Sequence, residues 1–191
     1  MQYDAQILAE ICGAIHASDM VRAQEIAEQK IPYSPVITES RKYTDVEALT
    51  VYVRDGFIDR YSGEKLVFPG TLRLLSNFLP EQIPYHPNWK TTECHMLFWY
   101  LSPTLDHLIP IARGGADDET NWVCTSMFRN QIKAHWTVEE IGWRLHSPGG
   151  NSNWDGLLGW YMETIDEKRH YLNEPFHQRW HRAAARVLGG V

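Results

Sequence analysis

The sequence predicts an α+β protein in which a short hairpin and one helix sit between helical additions at both ends. Three observations support this. Residues 104–135 pass from an extended pattern through a Gly/Asp-rich loop to a second extended pattern, and then to a helical one. Residues 4–16 and 19–29 before that stretch, and 156–171 and 175–188 after it, read as helices. The 191-residue length and 43% hydrophobic content suit one domain with a substantial core.

Along the chain, Ser18 can cap the second of the first two helices. Ile31-Pro-Tyr-Ser-Pro35 then breaks the pattern, because proline restricts both itself and its predecessor. A third helix is expected over 44–54, ended by the turn signal Asp55-Gly56. Phe57–Tyr61 and Lys65–Phe68 read as two strands around Ser62-Gly63-Glu64. Residues 76–92 hold Pro80, Pro84 and Pro87 and should form an irregular, ordered loop. The apolar run Met96–Leu101 reads as a buried strand. Thr104–Leu108 is the next strand, 109–120 the loop and Asn121–Cys124 its partner strand. Thr125 or Ser126 caps a helix reaching His135. Thr137-Val-Glu-Glu140 has capping-box spacing, which predicts a helix over 138–146. Ser147–Asn153 is a Gly/Asn/Ser linker, Asp155 can cap the helix after it, and Pro175 suits the first turn of the last one. There is no internal repeat.

No stretch approaches the roughly 18 consecutive apolar residues that a membrane span needs. The N-terminal Met-Gln-Tyr-Asp-Ala lacks a basic region followed by an apolar one, so a cytoplasmic protein without a membrane partner is expected. Cys12, Cys94 and Cys124 are odd in number and widely separated, as reduced, mostly buried thiols would be. The net charge of −6 argues against indiscriminate coating of nucleic acid, but charge can be local. Residues 168–187 carry Lys168, Arg169, Arg179, Arg182 and Arg186 against Glu174 alone. The first thirty residues are acidic.

The chemistry concentrates in one segment. Asp106-His107 is followed by Gly114-Gly115, then Asn121, then Asn130 on the expected helix with Lys133 beyond it. Asn130 and Lys133 are three apart and share a helix face, while Phe128 and Ile132 are four apart and can face the core. Neighbouring strand side chains point to opposite faces, so Asp106 and His107 serve one site only if the backbone twists or bulges entering the loop.

This segment resembles the HNH nuclease motif of the ββα-metal family, securely over 104–135 and more weakly over 54–68. The resemblance implies an HNH core over 44–146, flanked by helical extensions at 1–43 and 147–191. It implies a metal-dependent endonuclease cutting DNA, with His107 as general base, Asp106 and Asn130 as ligands of one Mg²⁺ or Mn²⁺, and Asn121 holding the loop through side-chain bonds to backbone. Those roles suit the chemistry. An imidazole with an ordinary pKa near 6.5 can take a proton from water. A hard cation needs few protein oxygens because it keeps several waters. Many members carry a zinc-binding Cys-x-x-Cys where this chain has Arg60-Tyr-Ser-Gly63, so no structural zinc is expected and packing should replace it. Arg113, Arg129 and Lys133 are candidates for phosphate contact.

Other residues receive plainer readings. His86, His95, His135 and His146 lack such neighbours and read as structural. Cys94-His95 and Cys124 lack the spacing of a zinc site. Asp117-Asp118-Glu119 reads as a solvated turn. Trp99, Trp122, Trp143 and Trp160 read as core, while Trp89 and Trp154 are candidates for stacking on nucleic acid. The alternative of another class is a catalytically silent HNH-fold protein that binds nucleic acid or acts as a scaffold. Restriction, phage defence, mobile-element and toxin roles share the chemistry, and a homodimer would suit staggered double-strand cutting.

Overall fold

The computed structural model describes residues 4–33, 43–149 and 153–189. Pro35 and the centre of the 147–153 linker lie outside them. The chain divides into two compact units, Met1–Ile37 and Thr38–Val191.

The first unit is a pair of helices, α1 (Ala5–His16) and α2 (Met20–Lys30). Asp4 caps α1 through the Gln6 N–H. Asp19, not Ser18, caps α2, accepting from the Arg22 N–H at 3.0 Å. Ser18 instead takes the left-handed turn between them, at φ 61°. Lys30 ties the pair back to Glu10 at 2.6 Å.

The second unit begins with α3 (Asp45–Arg54), whose Thr44 and Glu47 form a full capping box. A tight hairpin follows. Its arms make a single bridge, Ile58 to Lys65, rather than two strands. The chain then forms α4 (Pro69–Phe78), with Pro69 in the first turn. The segment 79–96 is irregular apart from turns.

The expected strand Met96–Leu101 is a helix, α5 (Leu97–Leu101). A continuous apolar run has no period that distinguishes the two. Packing decides: Phe98 and Trp99 are buried, and Tyr100 lies 4.6 Å from the Phe128 ring. Pro103 then forces Ser102 into the extended region, at φ −74° and ψ 125°, and starts β1 (Pro103–His107). After the loop come β2 (Trp122–Ser126) and α6 (Met127–Lys133). The strands pair antiparallel with Asp106 opposite Val123 and His107 opposite Trp122. Ser126 caps α6 through the Arg129 N–H.

Residues 138–146 do not form the expected helix. The Thr137 and Glu140 capping bonds are present. Gly142 then turns the chain at φ 69°, and His146 donates its N–H to the Arg60 carbonyl at 2.7 Å. Trp143, half-buried 5.6 Å from the Tyr61 ring, pulls the segment across the hairpin. The chain ends with α7 (Leu158–Glu167) and α8 (Pro175–Gly189). Asp155 accepts from the Leu157 and Gly159 N–H groups at the start of α7.

Helices α7 and α8 complete the main core of this unit. Phe68 is fully buried and sits edge-on to Tyr161 at 5.0 Å and to Trp180 at 5.5 Å. Truncating such a ring to alanine typically costs about 3–5 kcal/mol. On α8 the residues Trp180, Ala183 and Ala184 face this core. Trp160, expected in the core, is 38% exposed. Trp89 packs on Trp99, and Trp154 donates to the Leu66 carbonyl.

The first turn of α8 holds a pH-sensitive group. Burial pushes the His177 pKa down to about 4, against a counteracting Glu174 charge and a reinforcing Arg73 charge. The unfolded chain therefore takes up the proton first. Stability is complete above about pH 6.5 and is lost as the pH falls toward 4. Unfolding by denaturant should show a loss on the order of 2 kcal/mol between pH 7 and pH 4.5. A His177→Gln variant, which cannot titrate, should lose less over the same interval.

Candidate active site

The site is built on β1, the loop, β2 and α6, and its scaffold begins with two buried carboxylates. Asp55 and Asp59 both have 0% exposure. The Asp55 carboxylate accepts the Cys124 backbone N–H at 2.8 Å and is matched by Arg54 at 2.9 Å and Arg60 at 3.2 Å. Asp59 accepts the Ser126 N–H at 2.8 Å, the Thr125 hydroxyl at 3.1 Å and the Tyr61 N–H at 2.9 Å. The Arg60 N–H donates to the Cys124 carbonyl at 2.9 Å. The outer edge of β2 is thus saturated by side chains and one backbone bond. Burial, with the negative charges of Asp55 and Asp59, pushes the Cys124 thiol well up, so it stays protonated. The turn Arg60-Tyr-Ser-Gly63 thus sits in a charged hydrogen-bond cluster built on Asp55 and Asp59.

The loop owes its shape to Asn121. Its carbonyl oxygen accepts the Ile109 N–H at 2.9 Å, and its amide donates to the carbonyls of Ile109 at 2.9 Å and Ala116 at 2.8 Å. The two glycines serve different needs. Gly114 sits at φ 86°, with open space around it. Gly115 is pressed against the loop: a Cβ there would lie 1.8 Å from the Ile109 carbonyl oxygen.

Asp106 and His107 are both buried. Tyr61 donates its hydroxyl to Asp106 Oδ2 at 2.6 Å, and Lys133 approaches the same oxygen at 3.0 Å. Burial first, and then the Asp106 charge, hold the Tyr61 pKa far above its ordinary value, so the phenol remains a donor. Lys133 also donates to the His107 carbonyl at 2.7 Å and is fully buried. This corrects its reading as a phosphate contact, because the ammonium is consumed inside the hairpin. Ile132 is likewise 48% exposed rather than core-facing, while Phe128 packs under α5. Asn130 donates its amide to the Leu105 carbonyl at 3.1 Å, which leaves its oxygen to act as an acceptor or ligand.

His107 Nε2 faces Asp117 Oδ1 at 2.8 Å and the Trp122 indole nitrogen at 2.9 Å. An ionised carboxylate at that distance needs a hydrogen between the two atoms, so we assign the proton to Nε2. The Trp122 N–H then donates to the same Asp117 oxygen, at 3.1 Å. Nδ1 is left as the basic nitrogen. Asp117, expected in a solvated turn, is thus a partner of the histidine. Its neighbour Asp118 holds Thr120 by two bonds, which pull the Asp118 carboxyl below its usual range.

Arg113 pairs with Glu140, and Arg129 pairs with Glu64 at 3.1 Å, so these two candidates bridge loops while staying partly exposed. His86 and His95 accept backbone N–H groups two residues on, as structural histidines do. Tyr61 and Asp117 were missed in the sequence. A tyrosine beside a turn and an aspartate in an acidic run carry no local signal, because their partners are distant in sequence. Among the described residues no three His, Cys, Asp or Glu side chains gather to hold an ion.

Comparison with protein-family models, with curated proteins and with solved structures finds no match.

Three substitutions check the scaffold. Replacing Asp59 by alanine leaves two backbone N–H groups and a hydroxyl without their acceptor and should lower unfolding free energy by about 3 kcal/mol or more. Gly115→Ala should displace the loop and lower the melting temperature more than Gly114→Ala, whose penalty is only the left-handed backbone, about 1–2 kcal/mol.

Proposed function

We propose that this chain is an HNH-type endonuclease that hydrolyses DNA phosphodiester bonds. The observation that carries the reading is the orientation of His107. Asp117 holds its Nε2 side, Trp122 donates to that same carboxylate, and the other ring nitrogen is left to accept a proton. The strand–loop–strand–helix order around Asp106, His107, Asn121 and Asn130 supports the same reading.

In this mechanism Nδ1 of His107 takes the proton from the attacking water. Asp117 keeps the ring in the productive tautomer and stabilises the imidazolium that forms, as a carboxylate does for a catalytic histidine. Asn121 keeps the loop from drifting, so the distance from His107 to the scissile phosphate is set before substrate arrives. Asp106 and Asn130 supply the oxygen donors that Mg²⁺ or Mn²⁺ prefers, and the fit is good: one Asp106 oxygen is fixed by Tyr61 and Lys133, and the Asn130 amide is anchored by its nitrogen. A divalent cation bound there would stabilise charge on the phosphoryl oxygens and neutralise the departing one. Arg113 and Arg129, released from their carboxylate partners, would meet flanking phosphates.

A second reading is a silent HNH-fold protein that binds nucleic acid. The Lys133 ammonium against Asp106 favours it, since that cation already balances the carboxylate.

Plasmid DNA incubated with Mg²⁺ should be nicked or linearised, and EDTA should stop the reaction. His107→Ala should lower the rate by a hundredfold or more, roughly the worth of a general base, while DNA binding persists. Asp117→Asn should lower kcat by about tenfold or more with KM little changed. Binding without cutting under Mg²⁺ and Mn²⁺ alike would remove the nuclease reading and leave the silent one.

A further inference from the structure

At the other end of the hairpin from His107 the second unit holds a cavity of about 430 Å³. Six rings line it: Tyr43, Tyr52, Tyr85, Trp89, Phe176 and Trp180. Trp180 is 6% exposed, and among the described residues its buried indole N–H has no hydrogen-bond partner. Such a group in an aromatic wall is a polar contact point awaiting a ligand.

The cavity does not stand alone. It shares Asp45 and Arg179 with an adjoining groove of about 570 Å³, which Arg182 and Arg186 also line. Asp45 and Arg179 pair with each other at 2.8 Å, so their charges cancel at the junction. Glu47 in the groove is held by the Thr44 backbone N–H and hydroxyl. Arg182 and Arg186 have no acidic partner among the described residues, and they stand four apart on one face of α8. An aromatic chamber thus opens beside a pair of unmatched guanidinium groups, in a chain whose net charge is −6.

We propose that this cavity binds a nucleobase, with the attached phosphate on Arg182 and Arg186. A planar base fills an aromatic-lined space by stacking, and its ring edge supplies an acceptor for the Trp180 indole N–H. A guanidinium pair suits the phosphate. The base comes either from a free nucleotide or from DNA, as a nucleotide turned out of the helix. The second source connects to the hairpin. Ser102, Pro103 and Thr104 line the cavity, and His107 ends the same strand, about 13 Å further at the usual rise. That is roughly four base steps of B-form DNA. Base binding goes beyond the nuclease reading and does not require cleavage.

The test is calorimetric titration of the full chain with each of the four deoxynucleoside monophosphates, their nucleosides, and deoxyribose 5-phosphate as a base-free control. At least one nucleotide should bind on the order of tenfold tighter than the control. Trp180→Phe, which removes the indole N–H and keeps an aromatic ring, should weaken it severalfold. The joint Arg182→Ala and Arg186→Ala substitution should erase the advantage of nucleotide over nucleoside. In a second arm, duplex DNA carrying one 5-iododeoxyuridine is irradiated with the protein and the cross-linked residue is mapped. A cross-link to one of the six rings assigns the base to DNA. Nucleotide binding without such a cross-link assigns it to the free nucleotide. If no nucleotide outbinds the control and no ring is cross-linked, the proposal is overturned. Unchanged binding in both Trp180→Phe and Tyr43→Ala overturns it as well. His107→Ala should keep nucleotide binding, so loss of cutting and loss of base binding are separately visible.

Discussion

Two carboxylates with no access to solvent hold the hairpin together. A two-stranded sheet has two open edges and is marginal by itself. Here the outer edge of β2 is closed by Asp55, Asp59 and the Arg60 backbone rather than by a third strand. Burying those charges is costly unless each is fully bonded. Asp55 meets two guanidinium groups and a backbone N–H, and Asp59 meets two N–H groups and a hydroxyl. The turn that carries Asp59 also delivers Tyr61 to Asp106. The scaffold and the site are therefore one network, entered from the same few residues.

That network explains why the site is stiff. Asp106 lies between a phenol and a buried ammonium, and the ammonium also binds the backbone of His107. Each group fixes the next, so the strand, the turn and α6 are locked at one point. Asn121 does the same for the loop, with three bonds from one amide. Geometry held by buried bonds of this kind does not need to be reorganised when charge develops beside it. Placing Lys133 within this lock accounts for a helix of only seven residues holding its position.

The distribution of charge is as informative as the total. Asp55 and Asp106 are taken up inside against cations, and Asp59 against neutral donors. The basic face of α8 is left facing a groove, beside an aromatic cavity that the central helices and the start of β1 enclose. An overall negative chain can therefore present a positive surface where a phosphate would lie.

Local rules made much of this readable from the chain. The turn signal Asp55-Gly56 ended α3, Ser126 began α6, and Pro175 opened α8, since caps and turns depend on neighbours a few residues away. The strand–loop–strand–helix order was legible for the same reason, while the bonds from Asn121 to the loop backbone were implied only by the resemblance of the motif. Tertiary packing decided the rest. Met96–Leu101 became helical because Trp99 and Tyr100 had partners only in that form. The capping box at Thr137 was overruled when His146 reached the Arg60 carbonyl. Lys133 turned inward, and Asp117 found His107, because the loop folded back. A single sequence records which bonds a residue is able to make nearby; which distant group comes within three ångströms of it is settled only when the chain closes on itself.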